Sequence, residues 1–559
     1  MGDVLEYLVD GTSGLAPGGV DGSAIFAGVC SKGEVGKAYL IGKRSDLKAM
    51  LGSGPLVDRI RDVLVTGGQE PVLVAVPVAG QSGGYISQPH IIGSSVKAAT
   101  IGVAQKNADI VAIVTAEGDL GTAALSLSFN GGFTSSSVTS AASLPLGDSG
   151  ATLLFPAGAT LEAGAIFRVT VRTAIGPMER FGLEKSPMIT VSGEVLAGAE
   201  LVVQIVKPGG RNEGTYQLSV DGGDNFLKTR TIPADGAVTL ADYGVTVTFP
   251  ADEYSGGVTY TCRLLPPAPS IVDVMTALES PLALYDVEFV QVVGPTDSVD
   301  WSAAQAKTDE LWNLHRPTYF KMEARLPHDN EDLNDFAAYL LAEKADFAGR
   351  SVQVCAQFGE ISDAGGERKI RSWAGLQAGR VMSLPVQRAT GRVKDGPVSQ
   401  GELPEGWEAV QTVIEDAGYL TAKKYAGLKG AYWGDSRTMA DDTSDFRYEE
   451  VLRVVFKAVR LARIAALKSM YDEAGDPLVP SGKGGLAYLK AQIENALDTM
   501  TKAIPREMAA YAVEIPSGQD IVNNGVAVEM TLIGIPIIRQ IKLFASYVYA
   551  GSSFDPRLA

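Results

Sequence analysis

The first strongly patterned segment is an apolar run, Ala24-Ile25-Phe26-Ala27-Gly28-Val29-Cys30, and two more follow at 38–41 and 71–78. Runs this short and this continuous read as strands covered on both faces. Between them the spacing changes. Leu56, Ile60 and Leu64 recur at helical intervals, and 46–51 predicts a short helix with Ser45 as its N-cap. The same alternation returns later, with strands expected at 287–293, 318–324 and 351–358 and helices at 301–314 and 331–344. Leu333, Phe336, Ala337, Leu340 and Leu341 mark the apolar stripe of the last helix. Strands alternating with helices imply an α/β layer.

The stretch between these two blocks is patterned differently. Over 110–170 the only charged residues are Glu117, Asp119, Asp148, Glu162 and Arg168, and period-two runs such as Leu125-Ser126-Leu127-Ser128-Phe129 recur. That alternation predicts short antiparallel strands in a sandwich or barrel. The region also reads as a duplication. Leu127-Ser128-Phe129-Asn130-Gly131-Gly132 returns about ninety residues later as Leu218-Ser219-Val220-Asp221-Gly222-Gly223, and Leu154-Phe155-Pro156-Ala157 returns as Thr248-Phe249-Pro250-Ala251. Asn-Gly-Gly and Asp-Gly-Gly suit hairpin turns that need positive φ. Two β domains are therefore expected, at 95–180 and 181–270. They interrupt an α/β domain made of 23–94 and 271–400, behind an N-terminal arm of 1–22; insertions of this kind enter at surface loops.

Beyond 400 an α+β domain is expected over 401–538, with helices at 408–417, 446–470 and 486–502 and a strand at 429–433. Two strands close the chain. Val526, Val528, Met530 and Leu532 share one face of the first. Ile541, Leu543, Ala545, Tyr547 and Tyr549 share one face of the second, inside a C-terminal arm of 539–559. The fold class is thus a multidomain mixture of α/β and α+β with an inserted pair of sandwich-like domains. On the long helix, Arg453, Lys457 and Arg460 fall on one face with Arg463 at its margin. A solvated face explains that stripe, and contact with an acidic partner surface is the alternative.

Composition narrows the function classes. A chain of 559 residues implies three or four domains, and 46% hydrophobic against 20% charged residues can bury large cores. Lys and Arg total 48 against 65 Asp and Glu, a net charge of −17, which argues against a nucleic-acid partner. Cys30, Cys262 and Cys355 have neither the number nor the spacing of a disulfide framework or zinc site, and suit a reducing compartment. Asp3 and Glu6 stand where a signal peptide would be basic, and the apolar tract at 526–538 is broken by Glu529, Gly534 and Pro536. It is too short for a bilayer, so a soluble chain is expected.

The segments that resemble catalytic motifs have simpler readings. Gly147-Asp148-Ser149-Gly150 is similar to a serine-protease nucleophile segment, but only His90 precedes it, so a turn is expected. Gly33-Glu34-Val35-Gly36-Lys37-Ala38 lacks the first glycine and the Ser/Thr of a phosphate-binding loop, and Gly482-Lys483 has Pro477 where glycine is needed. His90, His315 and His328 have no paired spacing for a metal. Asp441-Asp442 and Glu331-Asp332 stand at helix starts, where capping explains them. No catalytic, cofactor or metal site is expected.

One resemblance covers both ends of the chain. Ala24 to Val29, then Gly33-Glu34-Val35-Gly36-Lys37, Leu40-Ile41, Ser45-Asp46-Leu47 and Leu51-Gly52 look like the opening unit of contractile phage tail sheath proteins, in a divergent branch. Gly67-Gly68 before Pro71-Val72-Leu73-Val74, and Trp373-Ala374-Gly375-Leu376-Gln377-Ala378-Gly379-Arg380, continue the order. Asp416-Ala417-Gly418, Gly430-Ala431-Tyr432-Trp433-Gly434, Arg437-Thr438, Asp445-Phe446-Arg447-Tyr448 and Asn523-Asn524-Gly525 complete it. The first twenty residues lack the family's proline-led opening, and the β pair matches only as a permitted insertion.

The resemblance implies a non-enzymatic virion subunit, assembled in the host cytoplasm into stacked rings or a helix around a tail tube, with a baseplate and a terminator at the two ends. Contraction would drive the tube through a cell envelope. It also implies strand exchange between subunits, with Ile541 to Tyr549 as the donated strand and Val526, Val528, Met530 and Leu532 among the residues taking part. The stripe Arg453, Lys457, Arg460 and Arg463 would on that view face the tube. The competing readings are a hydrolase with β accessory domains and another virion or surface structural protein.

Overall fold

The computed structural model describes residues 20–558 apart from 69–70, 81–83, 183–185, 329–330, 346, 363–365, 475–484, 551 and 555. Most of the expected N-terminal arm, and the Gly482-Lys483 pair, lie outside the described residues.

The apolar runs assemble into one six-stranded sheet. Its order is Tyr39–Ile41, Val72–Pro77, Ser23–Gly28, Phe289–Thr296, Tyr319–Ala324 and Val352–Cys355. Only the first pair is antiparallel; the other four pairings are parallel. Strands from before and after the β region therefore lie side by side, with Ala24 opposite Phe289 and Ala27 opposite Val292. Successive side chains leave the sheet on opposite faces. Ile25, Ala27, Val290, Phe320 and Met322 join a core with Trp301, Phe336 and Leu340. Ala24, Phe26, Phe289 and Tyr319 join a second core with Leu56, Ile60, Val63, Leu452 and Phe456. Both faces being covered, the strands read as continuous apolar runs rather than alternating ones.

Helix positions follow the expected spacing with a few differences. The segments Pro55–Thr66, Ser298–Asn313, Leu333–Ala345, Glu408–Asp416, Glu449–Leu467 and Gly485–Thr501 are helical. The short helix Leu47–Met50 is capped by Asp46, whose Oδ1 accepts from Ala49 N at 3.0 Å. Ser45, the expected cap, instead accepts from Gly42 N in the turn before it. Ile271–Leu284, which apolar periodicity did not single out, is also a helix, capped by Ser270 and carrying Pro281 near its end.

The chain divides into two compact units at Ile464/Ala465. Residues just beyond 400 do not form a core of their own. Trp407, Val410, Ile414, Tyr419 and Met439 belong to the same cluster as Trp301 and Phe336, with the Trp301 and Tyr419 rings 5.9 Å apart. Large rings that fill gaps beside the sheet tie this segment to the α/β body.

The inserted region forms two sandwiches, each with its own core. In the first, Ser136–Thr139, Ala124–Ser128, Ala108–Ala116 and Ile166–Arg172 lie in order, opposite a sheet of Ser143–Pro145, Ala151–Leu154 and Ala99–Gly102. Tyr85–Ile86 and His90–Ile92 also pair with Ile166–Arg172, so this sandwich begins before the expected residue 95. In the second, Arg230–Thr231, Thr215–Ser219, Ala199–Lys207 and Thr259–Leu264 repeat that order, opposite Ala237–Leu240, Val245–Thr248 and Thr190–Gly193. The repeat extends to individual bonds. Ser128 Oγ accepts from Gly132 N at 2.9 Å and donates to Asn130 Oδ1 at 3.0 Å. Ser219 Oγ accepts from Gly223 N at 3.0 Å and donates to Asp221 Oδ1 at 2.6 Å. Both turns place two glycines at positive φ, which any side chain would strain.

Candidate functional site

The second compact unit has a small core in which Ile493, Leu497, Met500, Met508 and Val513 are buried. Helix Gly485–Thr501 is joined to strand Ala510–Glu514 by Tyr511, whose hydroxyl donates to Asp498 Oδ1 at 2.8 Å. That strand pairs antiparallel with Glu529–Ile533, from Ala510 opposite Ile533 to Glu514 opposite Glu529. Val526, Val528, Met530 and Leu532 are all half-buried while Ala527, Glu529, Thr531 and Ile533 are exposed, the alternation of a one-sided strand. The sequence reading missed Ala510–Glu514, although the turn residues Pro516, Ser517 and Gly518 that follow it are a hairpin signal. The two strands pair only with each other among the described residues, so each keeps an edge open.

The last expected strand is not formed within the chain. Among the described residues, 534–549 makes no helix or strand. Ile541, Leu543, Ala545, Tyr547 and Tyr549 are all exposed, and Leu543, Phe544 and Tyr547 reach 89%, 93% and 82%. Large apolar side chains left in solvent along one segment mark a surface open to association. Covering each would contribute about 1.5–3 kcal/mol, and each new backbone hydrogen bond about 1 kcal/mol.

The basic stripe of the long helix points the other way. Arg453 is 3% exposed, with Nε donating to Glu288 Oε1 at 2.5 Å. Arg460 is 8% exposed and donates to Asp286 and to the carbonyls of Val287 and Pro317. Lys457 pairs with Asp21 at 2.6 Å, and Arg463 is half-buried. The expected tube contact is therefore corrected for Arg453 and Arg460, which fasten the helix to the sheet instead of facing a partner. Spacing alone could not tell the two apart, because buried arginines that meet carboxylates from distant strands look like a solvated stripe.

The same face holds a second buried group. Glu449 accepts from Lys321 Nζ at 2.6 Å, Tyr319 OH at 2.9 Å and Gln377 Nε2 at 3.0 Å. Burial opposes its ionisation, but Lys321, Arg453 and these hydrogen bonds outweigh burial and lower its pKa. Arg59 and Glu323 are paired at 2.8 Å, and Arg371 and Asp62 at 2.6 Å. These charged groups are enclosed and paired with one another, an arrangement that fixes geometry.

A cleft of about 500 Å³ is lined by Lys48, Asp58, Arg61, Tyr243 and Lys369, and there Lys48 pairs with Asp242 and Lys369 with Glu367. A smaller one of about 240 Å³ is lined by Tyr85, Asp297, Asp300, Arg325 and Tyr339. His328 lies against Tyr85, with ring centres 4.9 Å apart, and burial pushes it down to about 3, so it is neutral at ordinary pH. Ser149 is buried and donates to the Leu146 carbonyl at 2.6 Å, inside a one-turn 3₁₀ segment Gly147–Ser149. Among the described residues no group of His, Cys, Asp and Glu could hold a metal, and no helix is long and apolar enough to cross a membrane.

Against known proteins, no curated sequence matches. In shape, a sheath tail protein of Desulfitobacterium hafniense matches at 11% identity over 96% of this chain and 100% of its own, with a TM-score of 0.42. A sheath tail protein of Listeria innocua matches at 10% identity over 92% and 96%, with a TM-score of 0.39. A chain of the anti-feeding prophage baseplate matches at 15% identity over 51% and 76%, with a TM-score of 0.37. Two family models account for nearly the whole sequence: DUF2586, N-terminal domain, over 1–437, and DUF2586, C-terminal domain, over 445–552. With both halves matched in order, the chain belongs to the DUF2586 family.

Proposed function

We propose that this chain is a structural subunit of a contractile tail sheath, polymerising as stacked rings or a helix around a tail tube in a virion and shortening to drive the tube through a cell envelope. The observation that carries the reading is the segment 534–549, which joins no strand pair among the described residues and leaves Ile541, Leu543, Phe544 and Tyr547 in solvent. Donated to the open-edged hairpin of Ala510–Glu514 and Glu529–Ile533 in an adjoining copy, it would gain both cover and backbone partners. A linkage of this kind lets rigid bodies re-pack while the lattice stays joined. The enclosed charge network and the ordered sequence motifs agree with a protein whose work is mechanical, with energy stored at assembly. Tube, baseplate and terminator proteins are its expected partners, and host cytoplasm its place of assembly.

Negative-stain microscopy of the purified chain tests this. Hollow cylinders of uniform diameter are expected, and their loss when the chain is ended at Ile538. Monomers at every concentration, or cylinders unaffected by that truncation, would refute the strand-exchange sheath.

A further inference from the structure

The chain carries 65 Asp and Glu against 48 Lys and Arg, so a place where cations stand without carboxylates runs against its general balance. The hairpin of Ala422–Lys424 and Ala431–Trp433 is such a place. Its base is fixed. Trp433 is buried with its ring 5.9 Å from that of Trp373, and the Trp407 indole N–H donates to the Ala422 carbonyl at 3.0 Å. Lys423, at the base, pairs with Glu415 at 3.2 Å. Beyond it the turn stands in solvent. Lys424, Tyr425, Leu428 and Lys429 are exposed, with Leu428 N donating to the Tyr425 carbonyl at 3.0 Å and the Tyr425 and Tyr432 rings 5.7 Å apart. Lys394 stands exposed on the one-turn segment Val393–Asp395, whose continuation joins the hairpin where Val398 N donates to the Ala431 carbonyl at 2.7 Å. Among the described residues, Lys394, Lys424 and Lys429 take part in no ion pair.

A second surface has the opposite sign. Glu402, Glu405 and Glu408 are exposed at and before the start of helix Glu408–Asp416, and Asp332 and Asp335 at the start of helix Leu333–Ala345. The two helix starts adjoin, since Gly406 lies against Leu333, and Leu333, Leu403 and Trp407 pack on one core. Capping accounts for Asp332, whose Oδ1 accepts from Asn334 N and Asp335 N at 2.8 Å. The side chains of Glu402, Glu405 and Glu408 have neither an ion pair nor a hydrogen bond among the described residues.

We infer that the hairpin turn at 424–429 is an interaction surface that takes the carboxylate-rich surface at 402–408 of a second copy of this chain. Charge complementarity names the occupant: both halves of the contact are carried by one sequence, and neither is neutralised within it. Tyr425 and Leu428 beside the lysines add apolar contact to the attraction. The buried Trp433 base holds the turn in place beforehand, so little ordering is left to pay on binding. Because the two surfaces are unlike, the contact is heterologous and adds copies in one direction, as a ring or helix requires. The inference rests on the polymer reading above.

Three full-length variants test it: Lys424→Glu with Lys429→Glu, Glu405→Lys with Glu408→Lys, and all four changes together. Each pair alone is expected to raise the critical concentration for cylinders about tenfold or more, because it sets like charges against each other. All four together should return it to within about twofold of wild type, with the thermal midpoint steady throughout. Either pair assembling at the wild-type concentration overturns the inference and leaves the sheath reading standing. So does a fourfold variant that is not restored, since the lysines would then meet acids elsewhere. If the wild-type chain forms small oligomers but no cylinders, and the reversals abolish and restore them, the sheath reading fails and the contact stands. A wild-type chain that stays monomeric sinks both. Lys424→Gln with Lys429→Gln repeats the first measurement should a reversal lower the midpoint.

Discussion

Lys321 and Glu449 lie buried 2.6 Å apart between the α/β sheet and the long helix, whereas Leu543 and Phe544 stand almost wholly in solvent. The body thus keeps ions inside, and the ribbon keeps hydrocarbon outside. Each inversion is unfavourable by itself. Removing a charge from water costs several kcal/mol even after relaxation, and only matched partners offset it. An uncovered Phe or Leu forgoes about 1.5–3 kcal/mol. The body resolves its conflict within one chain, because Glu449 has donors from several elements and Arg453 has both Glu288 oxygens. The contrast separates a part whose buried charges are matched on folding from a segment whose Leu543 and Phe544 stay in solvent.

Deleting 539–559 cuts deepest into that contrast. Cylinder formation should vanish while the monomer's thermal midpoint moves by less than about 2 °C, because side chains that stand mostly in solvent contribute little to folding. A large fall in the midpoint, read by calorimetry, would mean the ribbon belongs to the folded body after all. Next in size, Arg453→Ala should cost about 3–5 kcal/mol in urea unfolding, since Glu288 is left buried and unpaired. Pairing Arg453→Met with Glu288→Leu should restore most of that loss. Equal losses in the single and double variants would show that the helix is held by packing alone.

Asp300 offers a smaller and pH-dependent test. Burial, reinforced by Asp297 and Glu343, pushes its carboxyl up to about 7, above the ordinary 3.8. The folded state therefore holds this proton more tightly than the unfolded chain, and stability should fall as pH rises from about 4 to about 7. Asp300→Asn should leave unfolding at pH 4 nearly unchanged. At pH 8 it should stabilise the chain by roughly 1–3 kcal/mol. A pH-independent effect would show that the carboxyl is neutralised by something other than its own proton. Smallest of all, Leu543→Glu should alter monomer stability by less than about 0.5 kcal/mol while weakening assembly. Sedimentation and unfolding on the same sample separate the two effects.

The parts legible in the sequence are those with a single competing arrangement. Apolar runs at 24–30, 71–78 and 287–293 could only be strands covered on both faces, and they sit within a few residues of Ser23–Gly28, Val72–Pro77 and Phe289–Thr296. The repeated Ser-x-Asn/Asp-Gly-Gly turn announced two sandwiches because two glycines at positive φ leave few alternatives. Helix Ile271–Leu284 was hidden because apolar residues surround it, Val272 and Leu284 on its open side as well as Val274 and Leu278 within. Arg453 and Arg460 were misassigned since their partners, Glu288 and Asp286, lie far away in sequence. At Ile541 to Tyr549 the periodicity matched a strand, yet a strand needs a neighbour, and periodicity says nothing about which molecule supplies it.

The position of Ser23–Gly28, between Val72–Pro77 and Phe289–Thr296, has a consequence for how the polypeptide is made. Half of its pairing edge must wait until both sandwiches have been synthesised. At about 5–20 residues per second, that delay is on the order of 10–60 s on the ribosome. The sandwiches, whose pairings are all internal to them, can close in that interval. A nascent chain would then carry two finished modules tethered to one exposed hydrophobic seam, a natural target for chaperones until the returning strand arrives.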